Sequence, residues 1–356
     1  MPLLPLYGHA AVRERLRTAV AQGTLPSSLL FDGPRGIGKQ QLALWLGRLL
    51  LCQHPDRAPC GECQSCRMAS SLQHPDLHWF FPRPRPKDSV DADDAREDMG
   101  EAIIERMQAS GIYEAPGGEE GIFISTVHAL TRVAVLSPAM GRRKVFVVGD
   151  ADRMVAQEGT EQAANAFLKL LEEPPADTTI ILTSSEAGAL LPTIRSRVVA
   201  VRVAPLRDDE VRAFLADPVV AGHLDLGSAA RTEELVGLAG GAPGRLIGRE
   251  AWEAALGQAR RILDAVSAPD RGTRMRVAMA QGGFGARGRF SDTLDALTML
   301  LHERSRTAVK RGNVAQASGA ARAVAVVEET KELASGNVNP QLLTASLMRQ
   351  LAALAP

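Results

Sequence analysis

Apolar residues in the first 200 positions form short continuous runs bounded by turn-forming residues. Such runs predict buried strands at 27–31, 77–81, 122–124, 145–148, 179–183 and 198–203. Helical spacing of apolar residues predicts helices at 11–21, 40–51, 127–136 and 159–171. Strands that alternate with helices are typical of an open, mostly parallel sheet. Residues 1–204 are therefore predicted to form an α/β domain.

Beyond residue 205 only helical spacing remains. Short helices expected at 208–215 and 232–238 predict a small helical lid domain over 205–248. Longer helices at 251–266, 291–310, 315–333 and 341–354 predict a helix bundle over 249–356. The basic stretches 271–276 and 282–289 are interpreted as solvated loops between these helices. The predicted layout is an α/β domain, a lid and a bundle.

Residues 82–121 interrupt the α/β pattern. A proline-rich basic stretch at 82–87 is followed by six acidic residues between positions 88 and 98. Runs of like charge favour a solvated surface, so we predict a charged surface insertion that is helical around 102–109.

Charge and composition limit the classes of function. The 356 residues include 41 Lys plus Arg and 41 Asp plus Glu, so the formal net charge is zero. This balance excludes a generally basic surface that binds nucleic acid by bulk charge. The 45% of hydrophobic residues excludes a disordered chain. No run approaches the ~18–20 apolar residues of a membrane span, and no basic leader is present, which predicts a soluble, cytoplasmic protein.

Four cysteines, the whole complement of the chain, lie within 15 positions as Cys52-x7-Cys60-x2-Cys63-x2-Cys66. The Cx2C spacing presents two sulfurs to one ion, and four thiolates complete a closed tetrahedral Zn²⁺ site. A closed site leaves no open position for substrate, so the predicted role of the zinc is structural. Free surface thiols or a redox pair are the alternatives.

A phosphate-binding loop is predicted between the first strand and its helix. Gly33-Pro-Arg-Gly-Ile-Gly-Lys39 matches GxxxxGK, in which Gly33, Gly36 and Gly38 let backbone N–H groups surround a phosphate and Lys39 balances its charge. The next position should be Ser or Thr, whose hydroxyl binds Mg²⁺, but here it is Gln40. ATP binding therefore stays open, and a loop that only caps its helix is the alternative.

The second nucleotide motif is expected after the strand at 145–148. A Mg²⁺-dependent ATPase of this class ends that strand with Asp-Glu, one acid to hold Mg²⁺ and one to polarise water. Here Gly149 takes the first position and Asp150 the second, or, in a register shifted by one, Asp150 is followed by Ala151. Either register loses one acid. With Gln40, this predicts a degraded Mg²⁺ site and argues against hydrolysis.

An arginine motif, Thr193-Ile-Arg195-Ser196-Arg197, precedes the last predicted strand. A lone Ser-Arg pair is most often solvated. After a nucleotide-type sheet, it also fits an arginine that reaches the γ-phosphate of a neighbouring subunit in trans.

These motifs occur in a fixed order, with the sequence NAFLKLLEEPP at 165–175 between the phosphate loop and the arginine motif. In this order the chain resembles the AAA+ subunits of bacterial sliding-clamp loaders over residues 1–250. Among them it is most similar to the delta-prime subunits of DNA polymerase III, which keep the Ser-Arg pair while their own ATP site decays. The family motif is Ser-Arg-Cys, and this chain carries Val198 in place of the Cys.

The resemblance implies a non-hydrolysing subunit, the stator of a five-subunit arc. Its partners would be the delta and tau/gamma ATPase subunits, the sliding clamp, and the primed DNA onto which the clamp is loaded. Arg197 would complete a neighbour's ATP site as an arginine finger, and residues 249–356 would form the collar that holds the pentamer. Less specifically, Arg245 matches a nucleotide-sensing arginine and Ser184 a polar sensor.

Two other functions stay open at this point. One is an active, ATP-hydrolysing motor subunit of the same loader, which Gln40 and Gly149 disfavour. The other is a stand-alone P-loop kinase or a zinc-containing nucleic-acid binder, which the long helical C-terminal half disfavours.

Overall fold

The computed structural model describes all residues except 1, 87–89, 115–119, 155–161, 225–228, 269, 282–286, 335–337 and 355–356. The chain divides into two compact units, Met1–Ile247 and Gly248–Pro356. The three-domain layout, with its lid boundary at residue 205, stays a prediction.

The first unit is built on a five-stranded sheet in the order β2-β3-β4-β1-β5, and every neighbouring pair is parallel. The strands are β1 Ser28–Asp32, β2 Leu77–Phe80, β3 Lys144–Val148, β4 Thr178–Ser184 and β5 Val199–Arg202. All residues of β3 and β4 are buried, as expected for central parallel strands that are read as unbroken apolar runs. The predicted α/β class with an open parallel sheet is confirmed.

One predicted strand is wrong. An isolated bridge joins Gly121 to Arg83 just before 122–124, Ile122 and Phe123 lie in no strand, and a helix begins at Ile124. Ile122 is buried ahead of the helix, whereas Ile124 in its first turn is 38% exposed. A run of three apolar residues is too short to distinguish a strand from a helix start.

Ten helices are described in the first unit, and α2 directly follows the predicted phosphate loop. Their bounds are α1 Ala10–Ala21, α2 Lys39–Leu51, α3 Gln64–Ser70, α4 Ala92–Gln108, α5 Ile124–Ala134, α6 Gln162–Glu172, α7 Pro192–Arg195, α8 Asp208–Leu215, α9 Pro218–His223 and α10 Ala229–Ala239.

The charged insertion is more ordered than its composition predicts, because α4 is 17 residues long and packs against α5. Asp91 caps its N-terminus by accepting the N–H groups of Asp93 and Asp94. The buried face is formed by small and apolar residues, namely Ala92, Ala95, Met99, Ala102 and Met107. The acidic residues cover the opposite face, so they masked the helical period in the sequence.

A buried carboxylate holds the loop between α5 and β3. Asp76 is 1% exposed and accepts the backbone N–H groups of Ala139, Met140 and Gly141 at 2.6–2.9 Å. Burial alone would raise the pKa of this carboxyl, but the three N–H groups outweigh it and lower the pKa below its usual value.

The second unit is helical throughout its described elements, as predicted for the bundle. Its helices are α11 Arg249–Ser267, α12 Arg271–Met279, α13 Arg287–Lys310, α14 Val314–Ala334 and α15 Pro340–Leu354. The predicted loop at 271–276 is wrong, because Asp270 caps α12 there by accepting the N–H groups of Gly272 and Thr273. Of the second predicted loop, 282–286 lies outside the described residues. Within the described part of the chain, no helix is long and apolar enough to cross a membrane.

Candidate functional site: a filled phosphate loop and a surface arginine

The phosphate loop joins β1 to α2 and requires its three glycines. Gly36 and Gly38 have φ of 81° and 89°, in the left-handed region that other residues rarely adopt. Any side chain on Gly33 would overlap the carbonyl oxygen of Val203. The sequence motif therefore corresponds to a real loop at the N-terminus of α2.

Lys39 is buried and bonded to its own loop. Its Nζ donates to the carbonyl oxygens of Gly33 and Pro34 at 2.9 and 2.8 Å, and to Ser185 Oγ at 2.9 Å. A bound phosphate would have to compete with these three acceptors for the ammonium group. The hydroxyl that contacts the lysine belongs to Ser185, which follows the predicted polar sensor Ser184 in the chain. Ser184 instead donates to Asp152 at 2.6 Å.

Gln40, at the position where the motif expects a hydroxyl, is bonded within the chain. Its Nε2 donates to Asp150 Oδ2 at 2.8 Å, and its Oε1 accepts from Trp79 Nε1 at 2.9 Å. A Cβ added to Gly149 would overlap this carboxamide, lying 2.6 Å from Nε2 and closer still to Oε1. Gln40 and Gly149 are therefore sterically matched to each other.

Asp150 is a strained acid beside this glutamine. Its φ of 47° is left-handed, and its N–H donates to Thr183 Oγ1 at 3.1 Å. Burial and the nearby charge of Asp152 raise its pKa, and Lys39 and Arg35 act in the opposite direction. The carboxylate that remains at the motif is thus bonded within the chain and disfavoured in its charged form.

The insertion contributes to the same site, which the sequence did not indicate. Arg106 of α4 lies over the rings of Phe81 and Tyr113, with its Cζ 3.3 and 3.7 Å from their centroids. Among the described residues, its buried Nη1 has no hydrogen-bond partner. The guanidinium also lies over Trp79, the partner of Gln40, with its Cζ 4.8 Å from that ring's centroid. The insertion therefore packs against the hydrogen-bonded network of Gln40.

A cavity of about 150 Å³ lies beside the loop. It is bordered by the N-terminal segment, the phosphate loop, the end of the insertion and the turn at Pro243–Leu246. That turn touches the loop directly, because Gly244 N–H donates to the Gly36 carbonyl at 2.8 Å. Arg245 follows in the same turn, and its backbone nitrogen lies beside Gly36. Its nucleotide-sensing role stays a prediction.

The four cysteines come together as a candidate metal site. All four sulfurs lie within 4.8 Å of one another, with 4.0 Å between Cys52 and Cys63 and 3.9 Å between Cys60 and Cys66. Sulfurs at about 2.3 Å from one tetrahedral ion would be roughly 3.8 Å apart, so the set fits Zn²⁺. Backbone N–H groups of Cys60, Cys63 and Cys66 each donate to a cysteine sulfur at 3.4 Å, which favours thiolates.

Arg197 lies far along the chain from the loop, on the surface just before β5. Its Nη1 donates to the carbonyl of Thr193 at 2.8 Å and to Ser196 Oγ at 3.2 Å, and its Nη2 donates to Glu172 Oε1 at 2.7 Å. The side chain is 32% exposed. Arg195, two residues earlier, is exposed, and no side-chain bond of it is seen among the described residues.

Comparison with known proteins places these features in a family. Residues 8–207 match the family model described as DNA polymerase III, delta subunit. The DNA polymerase III subunit delta′ of Pseudomonas aeruginosa is 33% identical over 215 residues, which are 60% of this chain and 52% of that protein. The delta′ subunit of Bacillus subtilis is 26% identical over 213 residues, 60% of this chain and 53% of that protein.

A further relative is a gamma/tau subunit. The DNA polymerase III subunit gamma/tau of Mycobacterium tuberculosis is 32% identical over 212 residues, 59% of this chain and 30% of that protein. These matches span about half the length of the delta′ relatives and less of the gamma/tau relative. The family model covers more than half of this chain, and the chain belongs to the DNA polymerase III delta subunit family that it describes.

Proposed function

We propose that this chain is a non-hydrolysing clamp-loader subunit of the delta′ type, which completes the ATP site of a neighbouring subunit. The observation that carries the proposal is the Gln40 carboxamide, which fills the space beside Gly149. A P-loop ATPase holds Mg²⁺ with a hydroxyl and an acid at these two positions. Here Gln40 bonds Trp79 and Asp150 instead, so the site is satisfied within the chain.

Arg197 would be the active contribution of this chain. An arginine finger supplies positive charge to the transferring phosphoryl group in the transition state. Such a residue must be on the surface, and Arg197 is partly exposed at the edge of the sheet. Its bond to Glu172 is a half-exposed ion pair, which is weak enough to be exchanged for a phosphate.

The partners follow from the same proposal. The chain would join delta and tau/gamma subunits in a hetero-pentamer that loads a sliding clamp onto primed DNA in the cytoplasm. The names of the relatives support membership of DNA polymerase III. Residues 249–356 would be the collar of this assembly, and the cysteine cluster at 52–66 would hold one structural Zn²⁺.

The proposal is tested by the purified chain and by its assembly. With Mg²⁺ and ATP, the chain alone should show no more turnover than its Lys39→Ala variant, because neither has a metal site. A tagged chain should co-purify with delta and tau/gamma subunits. Turnover that is lost in Lys39→Ala, or a chain that fails to join the other subunits, would contradict the proposal.

An active motor subunit is the second candidate. The 32% identity to a gamma/tau subunit and the retained Lys39 favour it. The same turnover assay decides between the two, since a motor requires Lys39 for its own hydrolysis.

A further inference from the structure

Two sequence motifs, 165–175 and 192–197, meet on the surface of the first unit through the bond between Glu172 and Arg197. The proposed function uses only the second motif. The first motif, 165–175, contains the last residue of α6, Glu172. The second motif, 192–197, contains α7 and ends with Arg197. We propose that Glu172 is a positioning residue, which holds the Arg197 guanidinium ready for the neighbouring subunit's γ-phosphate. This inference rests on the proposed function of Arg197.

The guanidinium is held from two sides. Nη2 donates to Glu172 Oε1 at 2.7 Å, and Nη1 donates to the Thr193 carbonyl at 2.8 Å and to Ser196 Oγ at 3.2 Å. A guanidinium carries five N–H groups, so donors remain available for an incoming phosphate. The two sides fix the direction of a long side chain that would otherwise sample many rotamers.

The core of the unit fixes Glu172 itself. Phe167, Leu170 and Leu171 bury the inner face of α6. The helix ends at Glu172 because two prolines follow at 174 and 175, where the chain cannot continue an α-helix. The carboxylate is thus carried by the last residue of a helix anchored in the core.

Arg197 is anchored by a buried element as well. α7 packs against α6, and its Ile194 is fully buried. The short helix therefore fixes the Thr193 carbonyl and the start of the Arg197 side chain. Because both residues stand on buried elements, the fold fixes the distance between their backbones and so keeps the two side chains within reach of each other.

The exposure of the Glu172–Arg197 pair shows whether Glu172 orients the arginine or keeps it away from the phosphate. The side chains are 32% and 47% exposed, a range in which ion pairs are weak and exchangeable. A γ-phosphate with its greater charge can take over the guanidinium, while Thr193 still holds it in place. Glu172 therefore orients Arg197 before the subunits engage and releases it without a large barrier. A blocking acid would instead slow the reaction, and its removal would speed it.

The test compares four chains in reconstituted loader complexes: wild type, Glu172→Ala, Arg197→Ala and the double variant. Loss of a half-exposed pair should slow the neighbouring site about two- to fivefold in kcat, with the KM for ATP unchanged. Glu172→Ala should then remove roughly half to four fifths of the rate that Arg197→Ala removes. The double variant should equal Arg197→Ala, because Glu172 acts only through that arginine.

Two further variants exclude a merely structural effect. Glu172→Gln keeps an oxygen acceptor at the same reach and should recover part of the lost rate. Glu173→Ala removes the adjacent exposed acid, for which no ion pair is seen in the described residues, and should match wild type.

The outcomes separate the two proposals. A faster Glu172→Ala complex, an unchanged one, or a double variant slower than Arg197→Ala would overturn the role of Glu172. An Arg197→Ala complex that hydrolyses ATP at the wild-type rate would overturn the proposed function instead.

Discussion

The fit between Gln40 and Gly149 leads to a sharp prediction about stability. Gly149→Ala should push the Gln40 carboxamide out of its place, since a Cβ there would overlap it. The displaced side chain would lose its bonds to Trp79 and Asp150. A buried polar atom left without its partner costs about 1–3 kcal/mol, so the loss of both bonds, partly relieved by local relaxation, is expected to cost about 2–4 kcal/mol.

Removal of the glutamine should cancel this effect. Gln40→Ala alone loses the same two bonds and should also cost about 2–4 kcal/mol. In the double variant there is no carboxamide left for the Cβ to displace. Its cost should therefore be close to that of Gln40→Ala alone, which corresponds to a coupling energy of about 2–4 kcal/mol.

Urea unfolding followed by tryptophan fluorescence measures these costs. The chain has three tryptophans, and Trp45 and Trp79 lie in the first unit. A Trp252→Phe background with excess zinc therefore makes the signal report that unit alone. Gly100→Ala is the control, because a Cβ at this helical glycine meets nothing within 4 Å and should be neutral or slightly stabilising. Costs of Gly149→Ala and Gln40→Ala that simply add in the double variant would refute the steric match.

Two other predictions concern the zinc module and a buried acid. The purified chain should release one Zn²⁺ per molecule to a chelator, and its melting temperature should then fall. Cys63→Ser should abolish zinc binding. A chain that is purified without zinc and keeps the same stability in the chelator would contradict the site. Asp76 has a folded-state pKa below its unfolded value of about 3.9, so its contribution to stability is present above pH ~4 and is lost as the pH falls further. Asp76→Asn should therefore be less stable at pH 7 and show a smaller loss of stability between pH 5 and 3 in urea titrations. Equal pH slopes for the two chains would show that the three N–H groups do not stabilise the charged carboxylate.

Elements with a continuous or strictly periodic apolar pattern could be predicted from the sequence. The strands at Thr178–Ser184 and Lys144–Val148 lie within one residue of the prediction, because buried parallel strands are apolar on both faces. Helix α4 was placed too short, since its apolar face is made largely of alanines between acids. The phosphate loop was predictable because its glycines are required by backbone geometry, which a local motif records.

The long-range hydrogen bonds of Gln40 and Arg197 could not be predicted from the sequence. Gln40 meets Trp79 and Asp150, which are 39 and 110 positions away, and nothing local marks them as partners. Arg197 and Glu172 likewise lie 25 positions apart in two motifs that appear unrelated in the sequence. Spacing identifies residues of one loop or helix, whereas these pairs exist only once the sheet brings distant segments together.

The central claim is that this chain contributes an arginine to a neighbour's ATP site and does not hydrolyse ATP itself. The most direct measurement is the DNA-stimulated ATPase rate of a reconstituted loader carrying Arg197→Ala, with Arg195→Ala as the matched control. An arginine finger accounts for about 10³-fold or more in rate at its site. We predict that the Arg197→Ala complex assembles normally and loses the share of the rate that this site supplies, while the Arg195→Ala complex matches wild type. Equal rates for all three complexes would contradict the claim.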